Sequence, residues 1–146
     1  MSSAEEQLTD ELILKHEHEH AQISVVKDKP VAIVIATSNY ISIDEFQEIF
    51  RQIGELVKDQ QISKLVFDKR ALTVFHQPSM EWYFTDWKEK MWDFGLKTHR
   101  KILPDNKVFQ QSVRIGREKI KNDHPTLKFN QMDIQYKNDL QTAIDE

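Results

Sequence analysis

Three groupings of polar residues in this chain have the types and spacing that chemistry requires. In His16-Glu17-His18-Glu19-His20 imidazoles alternate with carboxylates, so on a β-strand the three histidines share one face and the two glutamates the other. Histidines two apart on a strand are a workable metal pair, and Zn²⁺ would need further ligands from elsewhere. The period is wrong for the helical H-E-x-x-H arrangement. A solvent-facing edge strand with alternating charge accounts for the same residues, so no metal is assigned.

The second grouping is Asp68, Lys69 and Arg70, with His76, Ser79 and Glu81 just after it. It falls where a buried strand gives way to a loop, the end of an α/β sheet where ligands most often bind. Ser, His and carboxylates together invite a hydrolase reading, but no G-x-S-x-G elbow is present and no glycine flanks Ser79. Asp68 capping the loop backbone and pairing with Arg70 is the structural reading; a ligand or partner role is the alternative. Only Gly54, Gly95 and Gly116 occur, none in a phosphate-loop context.

Third is an aromatic segment following Pro78. At 100° per residue Met80, Tyr83, Phe84, Trp87, Met91 and Phe94 form one apolar stripe, whereas Trp82 lies nearly opposite and Trp92 about a third of a turn away. An exposed Trp leaves a large apolar area in water. The two off-stripe tryptophans therefore point to a homodimer interface, a ligand groove, or cover by the preceding loop. Asp68, Arg70, His76, Ser79, Trp82 and Trp92 are the candidate ligand- or partner-binding residues, and no catalytic residue is assigned.

Composition narrows the class. The chain has 146 residues, 39% hydrophobic and 30% charged, and no Cys, which excludes disulfide scaffolds, thiol catalysis and Fe–S clusters. No apolar run approaches the roughly 18 residues of a membrane helix, and the start MSSAEEQLTDEL lacks the regions of a signal peptide. A cytoplasmic protein without membrane insertion is expected. Net charge is −4 but uneven, with 5 Lys/Arg against 12 Asp/Glu up to Ile62 and 15 against 12 from Ser63 onward. Lys97 to Lys121 is the most basic stretch; without an overall basic balance it does not argue for nucleic acid.

The elements that must position these groups follow from periodicity. Residues 1–9 read as a polar tail and 10–146 as a single domain. Two strands over Glu11–Glu19 and Gln22–Lys27, with a turn near His20, and a third in VAIVIAT make an antiparallel meander. A helix begins at Ser42, where Ser42 and Glu45 have capping-box spacing and Ile41 and Phe46 that of a hydrophobic staple; it runs to about Gln60. Lys64–Asp68 is a buried strand, so strand, helix and strand imply a right-handed parallel crossover. A loop over 69–77, a helix from Pro78 to about Phe94 stopped by Gly95, and a strand at His99–Leu103 come next. A helix capped by Asp105 or Asn106 then runs to about Asn122, with Phe109, Val113, Gly116 and Ile120 as its buried stripe and Gly116 allowing close approach to the sheet. A short strand over Leu127–Met132 and a helical turn over Asn138–Ile144 close the chain. The fold class is α/β, a mixed sheet with an N-terminal antiparallel meander and parallel βαβ crossovers.

The string KLVFDKRAL, then a loop, EWYFTDWKEKMWDFGLK, a strand ending in LP, KVFQQSV and a short strand before DLQTAI resembles the STAS-like domains of the SpoIIAA-like superfamily, over roughly Glu11 to Ile144. The resemblance implies a small bacterial stand-alone domain, a non-enzymatic regulatory or binding module of a kind that binds partner proteins or nucleotides; no cofactor is expected, and a protein partner is. The chain departs from the family at the D-S-S-G-like turn: DKRALTVFHQPS stands in its place, and neither Thr73 nor Ser79 has the flanking pattern of the phosphorylated serine. THRKIL is also more polar than the family's strand, so an exposed face is expected there. The alternative function is a small-molecule or lipid-binding domain using the Asp68–Ser79 loop and the aromatic helix.

Overall fold

The structure is a computed structural model that describes residues 7–146. Its six strands form one sheet in the order β1-β2-β3-β4-β5-β6: Leu12–His18, Ala21–Val26, Val31–Ala36, Lys64–Asp68, Thr98–Ile102 and Asp133–Tyr136. The first three pair antiparallel and β3 to β6 run parallel, so the sheet is the mixed one expected. Helix α1 (Ile43–Gln60) makes the first crossover. Segment α2 (Gln77–Trp82), a π-helical turn (Tyr83–Trp87) and α3 (Lys88–Trp92) make the second, and α4 (Lys107–Asp123) the third. The last helix, α5, is Leu140–Asp145. Among the described residues no helix is long and apolar enough to cross a membrane.

Local signals set the helix starts. Ser42 Oγ accepts from the Glu45 amide at 3.3 Å and donates to Glu45 Oε1 at 3.0 Å, so the Ser-Glu pair closes on itself instead of reaching the cap amide. Asn106 Oδ1 accepts from the Phe109 amide, and Asp139 Oδ1 does the same for Thr142. On α1 the buried face Phe46, Ile49, Phe50, Ile53, Leu56 and Val57 joins Ala21, Ile23 and Val34 of the sheet in the larger core. α5 lies on the opposite face, where Leu140, Ala143 and Ile144 cover Val31, Ile33, Val66 and Ile102.

Gly54 is buried in the middle of α1, and a Cβ there would sit 3.4 Å from Trp87 Nε1 and 3.5 Å from the Met91 thioether, ordinary contact distances. Glycine in a helix interior costs about 0.8–1 kcal/mol relative to alanine. Gly54→Ala is therefore expected to stabilise the fold by about 0.5–1 kcal/mol, read from urea unfolding; a loss of stability would show that Trp87 and Met91 press on α1 more tightly than these distances imply.

Several sequence readings are corrected. The aromatic segment is not one helix to Phe94: the π turn interrupts it, with the Lys88 amide bonded to the Tyr83 carbonyl, and it ends at Trp92. Phe94 falls after that end and is 49% exposed instead of completing the stripe. Gly95 takes φ 101°, the left-handed stop anticipated for it. Gly116 makes its close approach not to the sheet but to Gln77 and the Phe75 ring, which pack onto α4. Residues Lys128–Gln131 form a 3₁₀ turn, and the last strand begins only at Asp133. His20 has left the strand for the β1–β2 turn, while His16 and His18, after a bulge at Lys15, lie opposite Ile23 and Ala21 on the α1 side.

The largest correction concerns β5. Thr98-His99-Arg100-Lys101-Ile102 has no exposed face: His99, Arg100, Lys101 and Ile102 are all at most 2% accessible. The strand lies between β4 and β6, and both faces are covered. Arg100 points to the α5 side, where Nη2 bonds Asp133 Oδ2 and the Glu146 carbonyl and Nη1 bonds the Asp133 carbonyl. His99 and Lys101 point to the other side, beneath the π turn.

Candidate functional site

Beyond the carboxyl end of β4 the chain turns back, with the Leu72 amide on the Lys69 carbonyl and the Thr73 amide on the Asn39 carbonyl. This ties loop 69–76 down over the end of the sheet and leaves a cavity of about 50 Å³ beneath it. The walls are mostly apolar: Ile41 from the segment before α1, Phe46, Phe67, Leu72, Phe75, Met80, Tyr83 and Phe109. Three polar side chains also line it, Lys69, His76 and Ser79. His76 Nδ1 and Ser79 Oγ share a hydrogen bond of 2.9 Å, and the ring of Tyr40 stands edge-on to His76.

Behind the cavity wall lies an unusual accumulation of cations. Lys69 Nζ is 4.9 Å from the centre of the Phe67 ring. Lys88 Nζ, from α3, is 3.6 Å from the centre of Phe84 and 4.6 Å from that of Tyr83. Lys101 Nζ, from β5, is 4.4 Å and 5.6 Å from the same two rings. Neither the Lys88 nor the Lys101 nitrogen has a hydrogen-bond partner, and among the described residues no carboxylate pairs with any of the three lysines. Aromatic faces attract an ammonium but do not replace its hydration.

The electrostatic consequence is that all three amines lose protons easily. Burial pulls Lys69 down to about 8. Burial, reinforced by Lys69 and Arg117, holds Lys88 well below the ordinary lysine range, and burial, then Lys88, Lys69 and Arg117, does the same to Lys101. Burial, then the charges of Lys88, Lys101 and Lys69, keeps His99 neutral, and its Nε2 is 2.7 Å from the Tyr83 hydroxyl. Burial raises Tyr83 well above 10, so it stays a donor to the imidazole.

The expected site residues divide. His76 and Ser79 meet at the cavity. Asp68 lies on the α5 face in register with Val66, and holds Arg70: Oδ1 accepts from the Arg70 amide and Nε at 3.0 Å each, and Oδ2 from Nη2 at 2.8 Å. That is the capping and pairing role read from the sequence. Trp82 is half-buried, edge-on to Phe46 of α1 at 6.2 Å, and packs against the larger core. Trp92 is half-buried under Lys97, whose Nζ is 3.4 Å from the ring centre and donates to the Trp92 carbonyl.

Sequence reasoning missed Lys69 as a cavity residue and missed Lys88 and His99; Lys101 counted only as part of the basic stretch from Lys97 to Lys121. One signal was available for Lys88, which falls four residues after Phe84 and three before Met91 and so sits inside the apolar stripe. At the same end of the sheet, toward the β1 edge, Glu19, His20 and Glu45 gather with ligand-type atoms within 4.8 Å of one another. His20 Nε2 is 2.7 Å from Glu45 Oε2 and Nδ1 is 2.8 Å from Ser38 Oγ, bonds that pin the β1–β2 turn to the first turn of α1.

Fold and site together define an α/β domain with a six-stranded mixed sheet, a small cavity at the carboxyl end of its parallel strands and a carboxylate-free lysine cluster beside it. Family models, curated proteins and solved structures give no match to this chain.

Proposed function

We propose that the chain is a non-enzymatic regulatory module of the STAS-like kind that binds a small molecule beneath loop 69–76. The observation that carries this reading is the cavity itself, an apolar enclosure with Lys69, His76 and Ser79 converging on it at the end of parallel strands. The Ser79–His76 contact alone does not make a catalytic dyad: the two residues lie three positions apart at the start of α2, so their side-chain bond is a local one. Native mass spectrometry of freshly purified protein tests the reading. A chain carrying an extra small-molecule mass, released on unfolding, is the expected result, and a bare 17.3 kDa chain that also gives no cavity shifts in ligand screening by NMR would remove it.

The second reading is a module that docks a partner protein, favoured by apolar residues left in water on α4, Val108 at 77% and Ile115 at 59% accessible. A homodimer through the segment of Trp82, Trp92 and the exposed Phe94 belongs with it, since an isologous contact uses each residue twice. A wild-type chain that sediments as a monomer at high micromolar concentration would end the dimer proposal. A cytoplasmic location is part of both readings.

A further inference from the structure

Resting on the ligand-binding reading above, we propose that the molecule taken up beneath loop 69–76 is a small organic anion of the carboxylate class, with its charged end against Lys69, His76 and Ser79. The argument begins from the cluster's missing partner. Lys88 and Lys101 are fully buried, and their nitrogens bond to nothing. A buried lysine normally has a carboxylate facing it, because an ammonium removed from water without a counter-charge is strongly disfavoured. Among the described residues the titratable groups that bear on this cluster are basic or neutral: Lys88 from α3, Lys101 and His99 from β5 and Arg117 from α4, with Tyr83 from the π turn and His76 from the start of α2 lining the cavity. The adjacent Asp68 is on the opposite face, engaged with Arg70.

The protonated Lys69 amine makes the cavity an electropositive pocket with mostly apolar walls. An anion entering it supplies the charge that the protein does not, and it does so where interactions are least screened. Lys69 is the contact residue, because it alone of the three lysines lines the cavity; Lys88 and Lys101, held below the ordinary lysine range, sit behind the Tyr83 ring and offer Lys69 no counter-charge. The Ser79 hydroxyl adds a donor. The cavity's small volume selects a short chain, and its apolar walls favour a carboxylate with a carbon tail over a fully hydrated inorganic ion.

The test compares acetate with acetamide, a neutral molecule of nearly the same shape, by two-dimensional NMR of the full chain at constant ionic strength set with chloride. Acetate is expected to shift the amides of Lys69, Phe75, Ser79 and Tyr83 with an affinity at least about tenfold higher than acetamide's. Raising the pH from 7 to 9.5 is expected to weaken acetate by about tenfold while leaving acetamide unchanged, since Lys69 then gives up its proton. Lys69→Met is expected to erase the preference. If the variant does not fold, the two wild-type contrasts decide. Equal affinities for acetate and acetamide would overturn the anion proposal and leave the ligand-binding reading standing. Shifts confined to the basic groove of Arg114, Arg117 and Lys121 would overturn it as well, and no shift with either probe would remove both.

Discussion

Replacing Lys101 by Met is expected to raise the stability of this protein, against the usual direction for a change at a fully buried position, where most substitutions destabilise by about 1 kcal/mol. The reason is that the Lys101 nitrogen is completely enclosed, has no hydrogen-bond partner and shares its surroundings with Lys88, Lys69 and Arg117. A buried polar group without a partner costs roughly 1–3 kcal/mol in proteins, and a charged one more. Methionine keeps the unbranched stem that packs on Phe84 and Tyr83 and removes that cost. A gain of about 2 kcal/mol corresponds to a Tm about 4–8 °C higher in a domain of this length. Lys88→Met should act in the same direction for the same reason. Calorimetry of the two single variants and the double variant checks this. If both single variants lower Tm, the lysines are satisfied in a way this structure does not contain. A positive result would bear on function too, because residues that cost stability persist where activity needs them.

The second large effect is an alkaline rise in stability. The sign follows from proton counts. Below pH 8 Lys69 is protonated in both folded and unfolded chains, and the folded state carries the full cost of its burial. Between about 8 and the unfolded value of 10.5 the folded amine is neutral while the unfolded one still holds its proton, so stability climbs with pH. Lys88 and Lys101, also lowered, contribute with the same sign up to the same upper limit. Only above the lysines' unfolded value of 10.5 does the trend reverse, because buried Tyr83 keeps its proton when the unfolded phenol ionises, and the folded state then binds more protons. At the acid end, buried neutral His99 makes stability fall as pH drops below 6.5. Urea midpoints are therefore expected to rise from pH 7 to 9.5, whereas proteins in general are most stable between about pH 5 and 8. The rise should shrink in Lys101→Met and shrink further in the double variant. Wild type and double variant with parallel pH profiles would mean that these amines do not titrate as their burial requires.

Both effects come from a part of the molecule that was only partly legible in the sequence. The loop after Asp68 was marked as a binding position because ligands gather at the carboxyl ends of parallel strands, and His76 and Ser79 do line the cavity there. Lys69 stood in the same string but gave no sign that its nitrogen would be enclosed. Trp82 and Trp92 drew attention by lying off the apolar stripe; packing on Phe46 and cover by Lys97 occupy part of each. Lys88 was visible inside the stripe, where four-residue spacing from Phe84 put it on the buried face. Its burial was foreseeable from periodicity, its isolation was not.

What the sequence determined by itself is local in physical origin. The cap at Ser42, the Asn106 cap, the left-handed stop at Gly95 and the apolar stripe of α4 each depend on residues within a few positions of one another, so their geometry is written in short strings. The β-branched run of β3 announces a covered strand in the same way. Strand β5 was decided by tertiary structure. THRKI has the composition of a solvated strand, and among the described residues it became the most enclosed polar segment because β6 pairs along its outer edge, α5 covers one face and the π turn with α4 the other. Desolvation belongs to what packs against a residue from far along the chain. Three lysines whose charges look ordinary in sequence therefore become weak bases only once the sheet order and the crossover helices have closed over them.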